Sequence, residues 1–210
     1  MIRILIADDH PIVREGLRRI VSLESEVTVV GEAGTAAEMF TMLGEVPVDV
    51  ILLDVSMPGS SFLETLKAIR EQHPSVKILV LSVHPEDQWA VRALRGGAAG
   101  YLTKDHSPEQ LVGAVRRVHR GGRYVSPTLA EHLAAELDQG TDGAPHHRLS
   151  DREFEVLCAL GSGQSVKDAS EKLGLSPKTV STYRARLMEK MRVSSTAELV
   201  RYAAQYGLIK

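Results

Sequence analysis

The stretch Val48-Asp49-Val50-Ile51-Leu52-Leu53-Asp54-Val55-Ser56-Met57-Pro58-Gly59 decides the fold. Its first half is a short apolar run rich in β-branched residues, the composition of a parallel strand buried on both faces. The run closes on one carboxylate, Asp54, and Pro58-Gly59 then signals a turn. Open α/β sheets carry their chemistry at the carboxyl ends of such strands, which makes Asp54 a candidate functional residue. Taken alone, it reads equally well as a polar strand terminator.

Strands and helices alternate on both sides of this stretch. Residues 2–7 are apolar and are broken by Asp8-Asp9-His10-Pro11; Ile12, Val13, Leu17 and Ile20 then recur at helical spacing. Residues 27–30 read as a second strand closed by Gly31. Thr35-Ala36-Ala37-Glu38 reads as a capping box opening a helix with Met39, Phe40 and Leu43 inward. Beyond Asp54, the pattern predicts a helix over 62–71, a strand over 76–81 ending at Ser82, and a helix over 86–95 stopped by Gly96-Gly97. A short strand over 98–102 ends near Lys104. Ser107-Pro108-Glu109-Gln110 then caps a fifth helix reaching about His119. Five β-α units mean a parallel sheet with helices on both faces, the flavodoxin-like doubly wound architecture with strand order 2-1-3-4-5.

That topology gathers polar residues at one edge. Asp8 and Asp9 leave strand one, Asp54 strand three, Ser82 strand four and Lys104 strand five. Strands one and three flank the point where strand order reverses, so the three carboxylates converge. They repel one another and cannot all stay ionised without a cation. Mg²⁺ suits the set, because it keeps several waters and takes only one or two carboxylates directly. Metal, ammonium and hydroxyl together cradle a phosphoryl group, with Asp54 as candidate nucleophile. The competing reading is a set of unrelated strand-end polar residues.

Residues 1–122 resemble a response-regulator receiver domain. The matching residues are Asp8-Asp9, Asp54 with Met57-Pro58-Gly59, Ser82, and Gly100-Tyr101-Leu102-Thr103-Lys104. The resemblance implies that Asp54 accepts phosphate from a histidine kinase or acetyl phosphate. It implies Mg²⁺ held by Asp9, Asp54 and the Ser56 carbonyl, with Asp8 assisting through water. Lys104 would bind phosphoryl oxygens, and Ser82 and Tyr101 would form the switch pair. Phe62 stands where the family commonly has Gly, and Ser82 replaces the commoner Thr. Ser56 and His84 occupy positions that help set phosphoryl lifetime in the family. His10 reads as a surface or helix-capping residue.

Ser126-Pro127 opens a helix with Leu129, Leu133 and Leu137 as a narrow apolar stripe. Residues 139–148, with two Gly and one Pro, read as a flexible linker in which His146-His147 is exposed. The chain beyond it differs in charge. Residues 149–210 carry 10 Lys+Arg against 7 Asp+Glu, net +3, whereas the rest carries 15 against 20, net −5. An acidic front and a basic back suggest two modules with different partners.

In the back module, Ser150-Asp151-Arg152-Glu153 is a capping box followed by Phe154, Val156, Leu157 and Leu160 as a core face. A short helix from Ser165 to Leu173 and the turn Gly174-Leu175-Ser176 lead into a longer helix with Pro177 at its first position. This is a helix-turn-helix. Lys178, Arg184, Arg186 and Lys190 are set to reach phosphates; Thr179, Ser181, Thr182 and Ala185 are small enough to approach base edges. Residues 149–209 resemble the LuxR-type (NarL/FixJ) DNA-binding domain, through Leu149-Ser150-Asp151-Arg152-Glu153 and Ser176-Pro177-Lys178-Thr179-Val180. The resemblance places Ser181, Thr182 and Ala185 in the major groove and Lys178 and Thr179 near the backbone. It makes the last helix a dimer interface, with Leu199, Val200 and Ala203 serving that role or a core role. The family often has Lys at Ser181 and His at Tyr183, so base preference is not transferable.

No run is long enough to span a membrane, residues 1–6 lack the apolar core of a signal peptide, and the single Cys158 excludes an intrachain disulfide. A cytoplasmic location is expected, with Cys158 as a core residue. The expected organisation is a receiver over 1–122, a linker with a helix over 123–148, and a DNA-binding domain over 149–210. The expected function is not enzymatic. It is a two-component response regulator in which Asp54 phosphorylation controls homodimerisation and binding to double-stranded promoter half-sites, with RNA polymerase as a further partner. The rivals are a Mg²⁺-dependent phosphohydrolase and a constitutive DNA-binding protein whose front module only dimerises.

Overall fold

The computed structural model describes residues 1–58, 60–83, 88–139 and 144–209. It divides into two compact units, Met1–Pro127 and Thr128–Lys210.

The first unit holds a five-stranded parallel sheet of order β2-β1-β3-β4-β5. Its strands are β1 Ile2–Ala7, β2 Val27–Ala33, β3 Val50–Asp54, β4 Lys77–Ser82 and β5 Gly100–Thr103. The intervening helices are α1 Pro11–Ser22, α2 Ala36–Glu45, α3 Phe62–Gln72, α4 Gln88–Gly96 and α5 Pro108–His119. All five residues of β3 are buried, as expected for a strand covered on both faces. Arg3 ties the start of this sheet together: its guanidinium and backbone N–H both donate to Asp49, at 2.6–2.9 Å. That pairing holds the Asp49 carboxyl down at about 2.

Several expectations shift in detail. Gly31 does not close β2 but lies inside it, opposite a register slip between Ile4 and Leu5. A Cβ there would meet Met42 Sδ at 2.8 Å and Leu5 Cδ1 at 3.0 Å, so Gly31 marks close packing of two side-chain ends on β2 and not a chain reversal. Ile12 is 87% exposed, because the buried stripe of α1 runs through residues nearer Val21. Thr35 does cap α2, accepting from Glu38 N–H, but the Glu38 carboxylate accepts from Gly34 N–H instead of closing the box on Thr35. Residue 86, expected to start α4, lies outside the described residues.

The second unit contains α6 Pro127–Gln139, a 3-10 turn Pro145–Arg148, α7 Asp151–Gly161, α8 Val166–Leu173, α9 Pro177–Met191 and α10 Thr196–Gln205. Leu129 is fully buried on α6; the side chain of Leu137 and residues 140–143 lie outside the described part. The expectation of exposed linker histidines fails for His146, which is 1% exposed. Its Nδ1 is 2.7 Å from Tyr202 Oη and its ring packs edgewise on Tyr202 and Tyr206, so α10 captures the chain before α7 begins. His147 is exposed as expected. Both full capping boxes of this unit form, at Ser150/Glu153 and Ser165/Asp168. Among the described residues no helix is long and apolar enough to cross a membrane.

α9 ends on Arg192 at φ 55, the one positive-φ non-glycine residue described. A side chain in this left-handed region is disfavoured. Arg192→Gly is therefore expected to stabilise the helical unit by about 0.5–1 kcal/mol. A urea titration followed by helical circular dichroism reads this directly, and an unchanged or lower midpoint would count against it.

Candidate functional site

The carboxyl edge of the sheet brings together the residues that the sequence pointed to. Asp54, the last residue of β3, is 2% exposed, and Asp8, just past β1, is 1% exposed. Lys104 follows β5, where its backbone N–H donates to the Ser82 carbonyl at 2.7 Å. Its Nζ then reaches back to Asp8 Oδ2 at 2.6 Å and Asp54 Oδ1 at 3.1 Å. One ammonium thus serves two buried carboxylates.

The electrostatics are correspondingly tense. Burial pushes the Asp54 carboxyl up to about 6; Lys104 opposes this and the neighbouring Asp8 charge adds to it. Burial pulls the Lys104 ammonium down, but the Asp8 hydrogen bond and the charges of Asp54 and Asp8 outweigh it and raise it. Among the described residues the Asp54 carboxylate is opposed only by the Lys104 ion pair at 3.1 Å and the Ser56 backbone N–H, neither in full hydrogen-bond geometry. Buried acceptors left in this state are costly unless a cation or donor completes them.

Asp9 is less buried and meets His10 Nδ1 at 2.6 Å. Asp8, Asp9, His10 and Asp54 each place one ligand atom within 4.8 Å of the others. Three carboxylates gathered around one shared ammonium fit a hard divalent cation. His10 is not a side-chain helix cap: its carbonyl accepts from Val13 and Arg14 at the start of α1, and its ring is spent on the acidic pair. Arg14 Nη1 donates to the Asp8 carbonyl at 2.6 Å, fixing the β1-α1 turn. Ser56 is half-buried in the turn after β3; Gly59 and His84 lie outside the described residues. Ser82 and Tyr101 are both fully buried, on adjacent strands.

At Phe62, the Ser61 hydroxyl accepts from Glu64 N–H to cap α3, and the Phe62 ring packs edgewise on Trp89 of α4 at 6.0 Å. An aromatic residue fits there because Trp89 receives it.

A second surface lies on α9. Ser176 caps it, Pro177 occupies its first position, and Val180, Leu187 and Met191 are buried beneath it. Lys178, Ser181, Thr182, Ala185 and Arg186 are exposed, and Thr179 is half-buried. The Ser181 and Thr182 hydroxyls donate to the carbonyls of Pro177 and Lys178, leaving lone pairs outward. Two of the basic residues are already engaged: Arg184 donates to Thr196 Oγ1 at 2.8 Å, and Lys190 pairs with buried Glu153 at 2.7 Å. Of the expected phosphate-reaching cations, Lys178 and Arg186 therefore stand most open. Leu199 and Ala203 of α10 are core residues; a Cβ on Gly161 of α7 would meet the Ala203 methyl at 2.7 Å.

Residues 4–116 match the response regulator receiver domain, and residues 147–203 match the luxR family of bacterial regulatory proteins. Over 210 residues the chain is 40% identical to the response regulator GacA of Pseudomonas viridiflava, covering 100% of this chain and 98% of that one. It is 38% identical to the response regulator UvrY of Escherichia coli, covering 99% and 96%. The chain is a response regulator of the LuxR-type family. A solved structure of RcsB from Salmonella typhimurium matches with a TM-score of 0.79 at 27% identity, over 98% of each chain. RcsB from Salmonella enterica serovar Typhimurium, bound to the promoter rprA in the presence of phosphomimetic BeF3−, matches at 0.74 and 29% identity over 97% of this chain and 99% of that one.

Two features of this response regulator's site had no sequence signal strong enough to find them. The Arg14 contact to the Asp8 carbonyl depends on how α1 leaves β1. The Tyr124 backbone lies beside Tyr101 only after α5 has returned the chain to β5.

Proposed function

We propose that this response regulator is a transcription factor controlled by phosphorylation of Asp54. The observation that carries the reading is the Asp54 carboxylate itself: buried, without a good hydrogen bond, and facing Lys104 beside a second and third carboxylate. An Asp54 oxygen attacks phosphorus, the donor's P–N bond (phosphohistidine) or P–O bond (acetyl phosphate) breaks, and imidazole or acetate leaves. Asp9, Asp54 and the Ser56 carbonyl would hold Mg²⁺, with Asp8 acting through water; the ion would neutralise charge on the transferring group. Lys104 binds a phosphoryl oxygen, giving up part of its hold on Asp8 and Asp54. Ser82 supplies a hydroxyl at the same edge, and Tyr101 reports its movement. A phosphohydrolase would need a general acid near Asp54; Ser56, two residues on, is not one.

The output side rests on α9. Lys178 and Thr179 would sit at the phosphate backbone and Ser181, Thr182 and Ala185 at base edges, with Arg184 joining if it leaves Thr196. The partners proposed are a histidine kinase, double-stranded DNA read as half-sites by a homodimer, and RNA polymerase, with the cytoplasm as the location. The receiver is assigned to 1–122, the connector with α6 follows it, and the packed DNA-binding domain starts at Pro145, since His146 is already held by α10.

The test is incubation with Mg²⁺ and acetyl phosphate, followed by intact mass and peptide mapping: an acyl phosphate on Asp54 is expected, and turnover without it favours a hydrolase. On DNA, Lys178→Ala is expected to weaken binding to all sequences alike and to reduce the salt slope by about one, while Thr182→Ala costs about 1–3 kcal/mol only on the preferred sequence. The reverse pattern would move the base-reading face elsewhere.

A further inference from the structure

The chain leaving α5 does not go straight to the connector. α5 ends in a full Schellman turn: Gly121, at φ 85, donates to the Val118 carbonyl, and Gly122 donates to Arg117, both at 3.0 Å. This turn sends residues 123–125 back along the open side of β5. There Tyr124 N–H donates to Ala99 carbonyl at 3.0 Å, and Tyr101 N–H donates to the Tyr124 carbonyl at 3.2 Å, forming a parallel bridge between Gly100 and Tyr124. The approach is close. A Cβ on Gly100 would meet the Tyr124 carbonyl oxygen at 2.9 Å and Tyr124 Cβ at 3.0 Å, so glycine is needed for the two backbones to pair. The Tyr124 ring is partly buried against the core cluster that includes Leu79, Leu102 and Val118.

The bridge joins two things that must communicate. On one side is Tyr101, fully buried on β5, three residues before Lys104. On the other is a segment that runs, after Ser126, directly into α6. We propose that residues 123–125 are a strap that carries the state of β5 to the connector. When Lys104 and Ser82 are drawn to a phosphoryl group, β5 shifts, and the Tyr101–Tyr124 and Tyr124–Ala99 hydrogen bonds shift the strap with it. A backbone link of this kind transmits displacement without needing any side chain of the helical unit to touch the phosphorylation site. This regulation rests on the phosphorylation reading above.

The experiment uses the full chain, beryllofluoride with Mg²⁺, and a duplex selected from a random pool by the wild-type beryllofluoride complex. Loading is read by ¹⁹F NMR and affinity by fluorescence anisotropy. Tyr124→Pro removes the N–H that donates to Ala99; Tyr124→Phe keeps both the ring and the backbone bonds. Wild type and Tyr124→Phe are expected to gain about tenfold in DNA affinity on loading, within the usual range of allosteric coupling. Tyr124→Pro is expected to load equally and gain less than about twofold, a coupling near zero on the same scale. Hydrogen exchange on wild type, which needs no variant, is expected to change at the Tyr101 and Tyr124 amides together. Full gain in Tyr124→Pro, or a change at Tyr101 with none at Tyr124, overturns the strap. No gain in wild type overturns the phosphorylation reading itself.

Discussion

Asp54→Asn is expected to remain unphosphorylated after exposure to Mg²⁺ and acetyl phosphate, and its DNA affinity and oligomeric state are expected to ignore the donor. The amide keeps the shape of the carboxylate but lacks the nucleophilic oxygen and the charge that would help hold a cation. The same variant tests the electrostatics of the fold. A carboxyl whose folded pKa is about 6, against 3.8 for the free group, holds its proton more tightly in the folded state. The ionised form therefore destabilises the fold; the cost is fully present above about pH 6 and is relieved as pH falls toward 3.8. A shift of that size corresponds to an upper bound of about 3 kcal/mol. In metal-free buffer Asp54→Asn should consequently unfold at a higher temperature than wild type at pH 7.5, with the gap narrowing to about a third by pH 4.5 and closing only below about pH 3.8. Saturating Mg²⁺ should close it as well, by stabilising wild type alone. A gap that ignores both pH and Mg²⁺ would mean that the Asp54 charge is not under the stress its burial implies. Phosphorylation of the variant to wild-type level would place the acceptor elsewhere.

The convergence of Asp8, Asp54 and Lys104 was legible in the sequence because topology does the work. Once apolar runs alternate with helices in a parallel sheet, strand ends meet at one edge whatever the details of packing. The capping residues Ser107 and Ser150 were legible for the opposite reason, since each acts within one helical turn. The misreadings fall between these scales. Gly31 looked like a terminator because a glycine ends many strands, yet it lies inside β2, closely packed against Met42 of α2. His146 looked like linker because its neighbours are Pro, Gly and polar residues; its burial depends on Tyr202 and Tyr206, far along the chain. Ile12 fitted a helical spacing, but a spacing does not say where the stripe ends. What local pattern cannot supply is the identity of the distant partner.

The second large effect is expected in the helical unit. Phe154 is fully buried in α7, the helix whose residues Glu153 and Gly161 also meet α9 and α10 through Lys190 and Ala203. Replacing such a ring with a methyl group typically costs about 3–5 kcal/mol, through lost transfer energy and the cavity left behind. A domain of this size commonly has only about 5–10 kcal/mol in total. Phe154→Ala should therefore lower the unfolding transition of the helical unit by roughly 15–30 °C, while the transition of residues 1–127 stays in place. Differential scanning calorimetry of the full chain, with Mg²⁺ and beryllofluoride added to mark the receiver transition by its upward shift, assigns the two peaks. The variant should still load beryllofluoride while losing DNA binding at a temperature where wild type retains it. If both transitions fall together, the two compact units unfold as one cooperative body and the division of labour proposed for them is wrong. If neither falls, α7 does not anchor the helix bundle, and the placement of α9 on Val180, Leu187 and Met191 must come from α8 and the turn Pro145–Arg148.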